Sequence, residues 1–176
     1  FAIAQAAAQA GARVTLVAGP VSLPTPFGVS RIDVTTAQQM HDAVMTSLPA
    51  DVAVMVAAVA DWRPEPSDRK LKKGDGPLEL KFSKNPDILA ALGDHPDRPG
   101  LLIGFAAETN DVVENAQGKR SAKKADWILA NDVSGDVMGG SHNHIHLVSA
   151  DGVDDWEEAT KQSVAAKLVE KIAEEL

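Results

Sequence analysis

Asp51 to Asp61 reads D-V-A-V-M-V-A-A-V-A-D, a run too uniformly apolar for a strand with one wet face. It predicts a central strand of a parallel sheet, covered by helices on both faces. Ala57, Ala58 and Ala60 remove bulk where a ligand would approach, and Asp61 closes the run with a carboxylate. In open α/β sheets ligands bind at the carboxyl edge of the strands.

Strand and helix patterns alternate on both sides of this run. Upstream, the alanine-rich Phe1 to Ala10 has a helical pattern with Gly11 as its C-terminal glycine, and no strand precedes it. Short strands are expected at Arg13 to Ala18 and Arg31 to Val34, and Thr36 with Gln39 fits a capping box. Downstream, residues 62–76 carry prolines, glycines and charges, and read as a long exposed loop. Leu78, Leu80 and Phe82 alternate like a strand with one wet face. Asn85-Pro86 offers an N-cap and a proline at the first helical position. Leu101 to Ala107 and Asp126 to Ala130 are further apolar strands, separated by a helix capped by Thr109 or Asn110 and running to about Lys124. His142 to Val148, followed by a turn at Asp151-Gly152, fits an edge strand or hairpin, and Val164, Leu168 and Ile172 form one stripe of a last helix. The pattern predicts an α/β fold: a three-layer, doubly wound (Rossmann-like), mostly parallel sheet with a C-terminal edge strand or hairpin.

Composition narrows the class. The 176 residues, 44% of them hydrophobic, suffice for one core-bearing domain. A net charge of −8 argues against nucleic acid or an anionic membrane as the main partner. The chain has no cysteine, which excludes a disulfide, a thiolate nucleophile and a zinc-thiolate site and fits a reducing cytoplasm. No stretch approaches the roughly 20 apolar residues of a membrane span.

Four apolar strands end alike, with a small residue followed by a polar one: Ala18-Gly19, Ala60-Asp61, Ala107-Glu108 and Ala130-Asn131-Asp132. Parallel strands would gather Asp61, Glu108 and Asp132 in one crevice, available to a divalent cation, a ribose hydroxyl or an amine. The plainer reading is that they cap helices and start loops. Cations supply the complement: Arg69, Lys70, Lys72, Lys73, Lys81 and Lys84 fall in and after the long loop, and Lys119, Arg120, Lys123 and Lys124 share a helix. In an acidic chain, lysines in a glycine-bearing loop suit a polyphosphate, and Lys119 and Lys123 can point at one anion. A solvated charged face is the alternative, and it is the reading for Lys161, Lys167 and Lys171. His142, His144 and His146 share one strand face, but with no carboxylate at matching spacing they read as edge-strand histidines. Trp62, Trp127 and Trp156 read as packing residues.

The strings A-A-V-A-D-W-R-P (57–64), K-L-K-K (70–73), K-N-P-D-I-L (84–89), G-F-A-A-E-T (104–109), K-R-S-A-K-K-A-D (119–126) and A-N-D-V (130–133) occur in the order and spacing of bacterial phosphopantothenoylcysteine synthetase, which the chain resembles over nearly its whole length. The resemblance implies a CTP-dependent ligase acting in two steps. The carboxylate of 4′-phosphopantothenate attacks the α-phosphate of CTP and releases pyrophosphate; the acyl-cytidylate then reacts with the amine of cysteine and expels CMP. Carried over by motif, Asp61, Lys70, Asn85, Pro86, Asp87, Ile88, Phe105, Lys119 and Lys123 are expected to bind nucleotide, with Lys70 also catalytic. Ala57, Ala58 and Asn131 are expected beside the substrate or intermediate, and Asp61 is the candidate ligand for the Mg²⁺ that accompanies CTP. The resemblance further implies a homodimer, and an upstream flavin-dependent decarboxylase with no flavin in this domain. Residues 1–176 are expected to be a single CTP-binding ligase domain without the family's opening strand and Gly/Ser-rich loop, and to be inactive alone.

Two other functions share this architecture. A nicotinamide-dependent reductase would need a Gly-x-Gly-x-x-Gly turn that is not visible and, for a Tyr-Lys pair, a tyrosine, of which the chain has none. A non-catalytic nucleotide-binding or regulatory module would show the same polar rim and lysine loop.

Overall fold

A computed structural model describes residues 1–66, 80–132 and 142–176. Their element order is α1 (Ala2–Gln9), β1 (Val14–Ala18), β2 (Val29–Asp33), α2 (Ala37–Thr46), β3 (Val52–Met55), β4 (Trp62–Pro64), β5 (Phe82–Lys84), α3 (Ile88–Gly93), β6 (Leu101–Glu108), α4 (Val112–Lys123), β7 (Trp127–Asp132), β8 (His142–Val148), β9 (Val153–Thr160) and α5 (Lys161–Glu175).

The main sheet has the order β3-β6-β7-β8-β9. Strands β3, β6 and β7 are parallel, and β8 and β9 close one side as an antiparallel hairpin. Its turn uses Gly152 at φ 141°, a conformation open to glycine and costly for a residue with a Cβ. Helices cover both faces. On one, Ile3 of α1 and Val164, Leu168 and Ile172 of α5 pack on Leu101, Ile103, Trp127, Leu129 and Trp156. On the other, residues of α2, α3 and α4, among them Val44, Leu92 and Ala116, pack on Leu102, Ala106, Ile128, Ala130 and Val148. This is the three-layer α/β arrangement expected, with the expected C-terminal hairpin.

The run that predicts the fold is placed differently from its reading. Strand β3 stops at Met55, and residues 56–61 continue outside the sheet. Among the described residues β3 pairs only with β6, so it is an edge and not the centre. The buried centre is β6 and β7, where Leu102, Ile103, Ile128, Leu129 and Ala130 have no exposed surface. Strands β1 and β2 form their own parallel pair, joined to the rest through α2: Met40 and Val34 pack with Val17, Met55 and Ile88. The long loop also differs, because its first residues form a strand that pairs with the segment following the loop. Trp62, Arg63 and Pro64 pair antiparallel with Lys84, Ser83 and Phe82, making a two-stranded arm outside the main sheet.

Local expectations fared unevenly. The Thr36–Gln39 capping box forms as expected. Helix α4, however, starts from Asp111, in a left-handed conformation, rather than from Thr109 or Asn110.

Candidate functional site

Parallel pairing brings two of the four polar strand ends side by side: Ala107 pairs with Asn131 and Glu108 with Asp132 at the carboxyl ends of β6 and β7. Ala18 ends a strand in the separate pair, and Ala60-Asp61 ends no strand. Chain direction nevertheless leads from β3 towards this edge, since Met55 pairs with Gly104, the residue before Phe105. Ala57, Ala58 and Asp61 are exposed along that segment.

What holds the segment is Asn85. Its backbone N–H donates to the Asp61 carbonyl at 2.8 Å and its side-chain amide to the Ala60 carbonyl at 2.8 Å. Arg63 completes the clasp, donating to the Lys84 carbonyl at 3.0 Å and to Asn85 Oδ1 at 3.1 Å. An asparagine amide both donates and accepts, which lets one side chain tie two segments 25 residues apart. The helix-cap role expected of Asn85-Pro86 falls instead to Asp87, whose Oδ1 accepts the Ala90 N–H at 3.0 Å. Only Pro86 separates the clasp from the cap, so the Asn85-Pro86-Asp87 turn couples the Ala60-Asp61 segment to α3. Ile88, the last residue of the turn, buries its side chain with Val34 and Met40 and anchors the turn to the core.

The second half of the site comes from α4. Lys119 and Lys123 lie one turn apart, as their spacing predicts. Lys119 Nζ donates to the Phe105 carbonyl at 2.8 Å, and Lys123 pairs with Asp87 Oδ2. Burial pushes the Asp87 carboxyl upward, but the Lys123 and Ala90 hydrogen bonds and the charges of Lys123 and Lys119 outweigh it and hold the carboxyl below its usual range. Asp87 therefore stays ionised, paired with Lys123 and within the field of Lys119. On the adjoining rim, Asn115 donates to Glu108 at 3.2 Å.

Asn85, Pro86, Asp87, Phe105, Lys119 and Lys123 thus form one connected group, with Asp61 hooked to it by its backbone and Asn131 on the neighbouring strand end. Lys70, with Arg69, Lys72, Lys73 and Leu78, lies outside the described residues. Sequence reading missed the Arg63 clasp; its signal was the position of Arg63 just after Asp61, where a fold-back brings it to Lys84 and Asn85. Trp127 and Trp156 are packing residues, as expected, whereas Trp62 is half-exposed on the β4–β5 arm with Lys84 Nζ 5.4 Å above its ring.

The chain is 44% identical over 180 residues to the coenzyme A biosynthesis bifunctional protein CoaBC of Vibrio parahaemolyticus, covering 99% of this chain and 45% of that protein. It is 48% identical over 160 residues to CoaBC of Escherichia coli K12, covering 86% of this chain and 39% of that one. The chain therefore spans less than half the length of these relatives. Among solved structures, the crystal structure of the C-terminal domain of a CoaBC protein superposes with a TM-score of 0.79 at 36% identity, over 97% of this chain and 78% of that one. A DNA/pantothenate metabolism flavoprotein from Streptococcus pneumoniae, 21% identical, superposes at 0.83 over 99% of this chain and 86% of that one, which shows the shared fold. The family model described as the DNA/pantothenate metabolism flavoprotein C-terminal domain matches residues 1–176, and the chain belongs to that family.

Proposed function

We propose that this chain is a CTP-dependent ligase domain of coenzyme A biosynthesis, joining 4′-phosphopantothenate to cysteine. The observation that carries the proposal is the pairing of Lys123 with Asp87 on the turn that Asn85 clasps to Ala60 and Asp61, with Lys119 one helical turn away on the Phe105 carbonyl, in a chain that its CoaBC relatives match along its length.

In the first step the pantothenate carboxylate attacks the α-phosphorus of CTP, forming a C–O–P bond while the bond to pyrophosphate breaks. Two anions must meet, so positive groups aimed at the phosphates carry the step. Lys119 spends one of its three donors on the Phe105 carbonyl and has two left for nucleotide oxygens. Lys123 is steadied by Asp87, and Lys70 joins from the long loop. Mg²⁺ arrives as part of the CTP complex. Magnesium typically takes one or two carboxylates plus phosphates, and exposed Asp61 suits that role. In the second step the cysteine amine attacks the acyl carbon, CMP leaves and the amine loses a proton; the small side chains of Ala57 and Ala58, with Asn131, make room for the intermediate.

Homodimerisation is part of the proposal. Trp62 and Phe82 are each about half-exposed on the arm, which suits a surface that a second copy covers. CoaBC relatives are named bifunctional, which supports an upstream flavin-dependent decarboxylase in the full-length protein. The proposed location is the cytoplasm. No described helix is long and apolar enough to cross a membrane.

Pyrophosphate release by the full-length protein is the test. Release that needs both CTP and 4′-phosphopantothenate supports the ligase. Tight CTP binding with no release would favour the nucleotide-sensing module instead.

A further inference from the structure

Next to the end of β7, where Asn131 pairs with Ile145, the β8–β9 hairpin gathers three side chains that the sequence leaves apart. His144 and His146 alternate on β8, so they share one face of the sheet. The missing carboxylate comes from the partner strand: His146 pairs directly with Asp155. His144 lies diagonal to Asp155, within reach for long side chains. A register irregularity between Asn143 and Ile145 falls at His144, where a bulge re-aims a side chain. In consequence His144 Nε2 is 2.6 Å and His146 Nδ1 3.1 Å from the same oxygen, Asp155 Oδ1, and the imidazole centroids are 4.6 Å apart. One potential ligand atom from each residue lies within 4.8 Å of the other two.

We propose that His144, His146 and Asp155 form a binding site for a divalent transition ion of the zinc class. Two imidazoles and one carboxylate suit zinc, nickel or copper, whereas magnesium and calcium favour all-oxygen shells. Ligand atoms about 2.0–2.1 Å from zinc at tetrahedral angles stand roughly 3.3 Å from one another. The cluster already approaches that spacing, so only small side-chain shifts are needed. Asp155 is exposed and His144 partly so, which leaves an entry path and room for water as a fourth ligand. Binding requires bare nitrogens, so a proton held between imidazole and carboxylate moves to the far ring nitrogen or leaves. The ion would clamp β8 to β9 where the ladder is irregular.

Titration of the protein with Co²⁺ and with Zn²⁺ tests this. The expected result is one equivalent bound at this site, with the visible absorption of four-coordinate cobalt. His144→Gln, His146→Gln and Asp155→Asn each weaken binding by roughly a hundredfold or more, since losing even a supporting hydrogen bond around a metal ligand costs about 10–100-fold. His41→Gln, beside Asp42 on α2, leaves binding unchanged. A variant that unfolds would also lose the ion, so a second reading uses the unaltered protein: Zn²⁺ shields His144 and His146 from acylation by diethyl pyrocarbonate and leaves His41 and His95 reactive. Failure of the protein to bind cobalt, undiminished binding in His146→Gln, or acylation of both hairpin histidines at full rate in zinc would overturn the proposal and leave a hydrogen-bonded cluster.

Discussion

Asp87 does two separable things, and its replacements should divide them. One oxygen caps α3 through the Ala90 N–H, and the other pairs with Lys123. Losing an aspartate cap to alanine costs about 1 kcal/mol, whereas asparagine caps nearly as well. The ion pair is worth less than its short contact suggests, because the two side chains are 49% and 31% exposed. A pair of charges about 4 Å apart at an effective dielectric near 20 gains roughly 4 kcal/mol, but solvent and side-chain entropy reduce exposed pairs to about 0–1 kcal/mol. Taking about 0.5 kcal/mol for the pair, Asp87→Ala should cost about 1.5 kcal/mol, and Asp87→Asn and Lys123→Met about 0.5 kcal/mol each. The double variant Asp87→Asn/Lys123→Met should cost no more than either single change. For a chain of this size Asp87→Ala corresponds to roughly 3–6 °C in melting temperature. Urea unfolding followed by the fluorescence of buried Trp127 and Trp156 measures all four. The Asp87 carboxyl is depressed in the folded state, so its charge-linked contribution is complete above the unfolded value of about 3.9 and fades as pH falls through the lower folded one. Equal losses in Asp87→Asn and Asp87→Ala would refute the cap argument, and additive losses in the double variant would refute the pair.

Two glycines test how closely α3 packs. A Cβ on Gly93 would stand 2.2 Å from the Lys123 carbonyl, a backbone atom, so Gly93→Ala should cost about 3 kcal/mol in urea unfolding; Gly104→Ala meets only the movable ends of Ile128 and Leu89, at 2.7 and 2.8 Å, and should cost about 1–2 kcal/mol. Asp126 Oδ2 accepts from both the Leu102 N–H and Arg98, each at 2.7 Å, so Asp126→Ala strands a backbone donor and should lose about 1–3 kcal/mol by the same assay. Lys70→Gln should lower pyrophosphate release far more than melting temperature; the reverse pattern would remove Lys70 from the reaction. Asp61→Asn should weaken binding of magnesium-CTP in calorimetry, and unchanged affinity would confine Asp61 to its backbone role.

Much of the site was legible because its residues lie in short contiguous strings. Asn85, Asp87, Lys119 and Lys123 carry their chemistry wherever they sit, and the i, i+4 spacing of the lysines fixes a common helix face. Their actual partners were not legible. Nothing in K-N-P-D-I-L says that Asp87 rather than Asn85 caps the helix, because either residue serves at that position. The Arg63 clasp and the His144–His146–Asp155 cluster escaped for one reason: each joins two strands, and register is not written in either strand alone.

Sequence by itself determined the class of fold, the alternation of strand and helix, the C-terminal hairpin and which cationic and polar residues enter the candidate site. These follow from periodicity, caps and side-chain chemistry, which act over a few residues. Tertiary structure alone decided that the strand in the Asp51–Asp61 run stops at Met55 and is an edge among the described residues, that β6 and β7 form the buried centre, and that Ile88 turns into the core. A strand's neighbours depend on which distant segments pair with it, and an apolar run looks the same whether a strand or a packed helix shields its side.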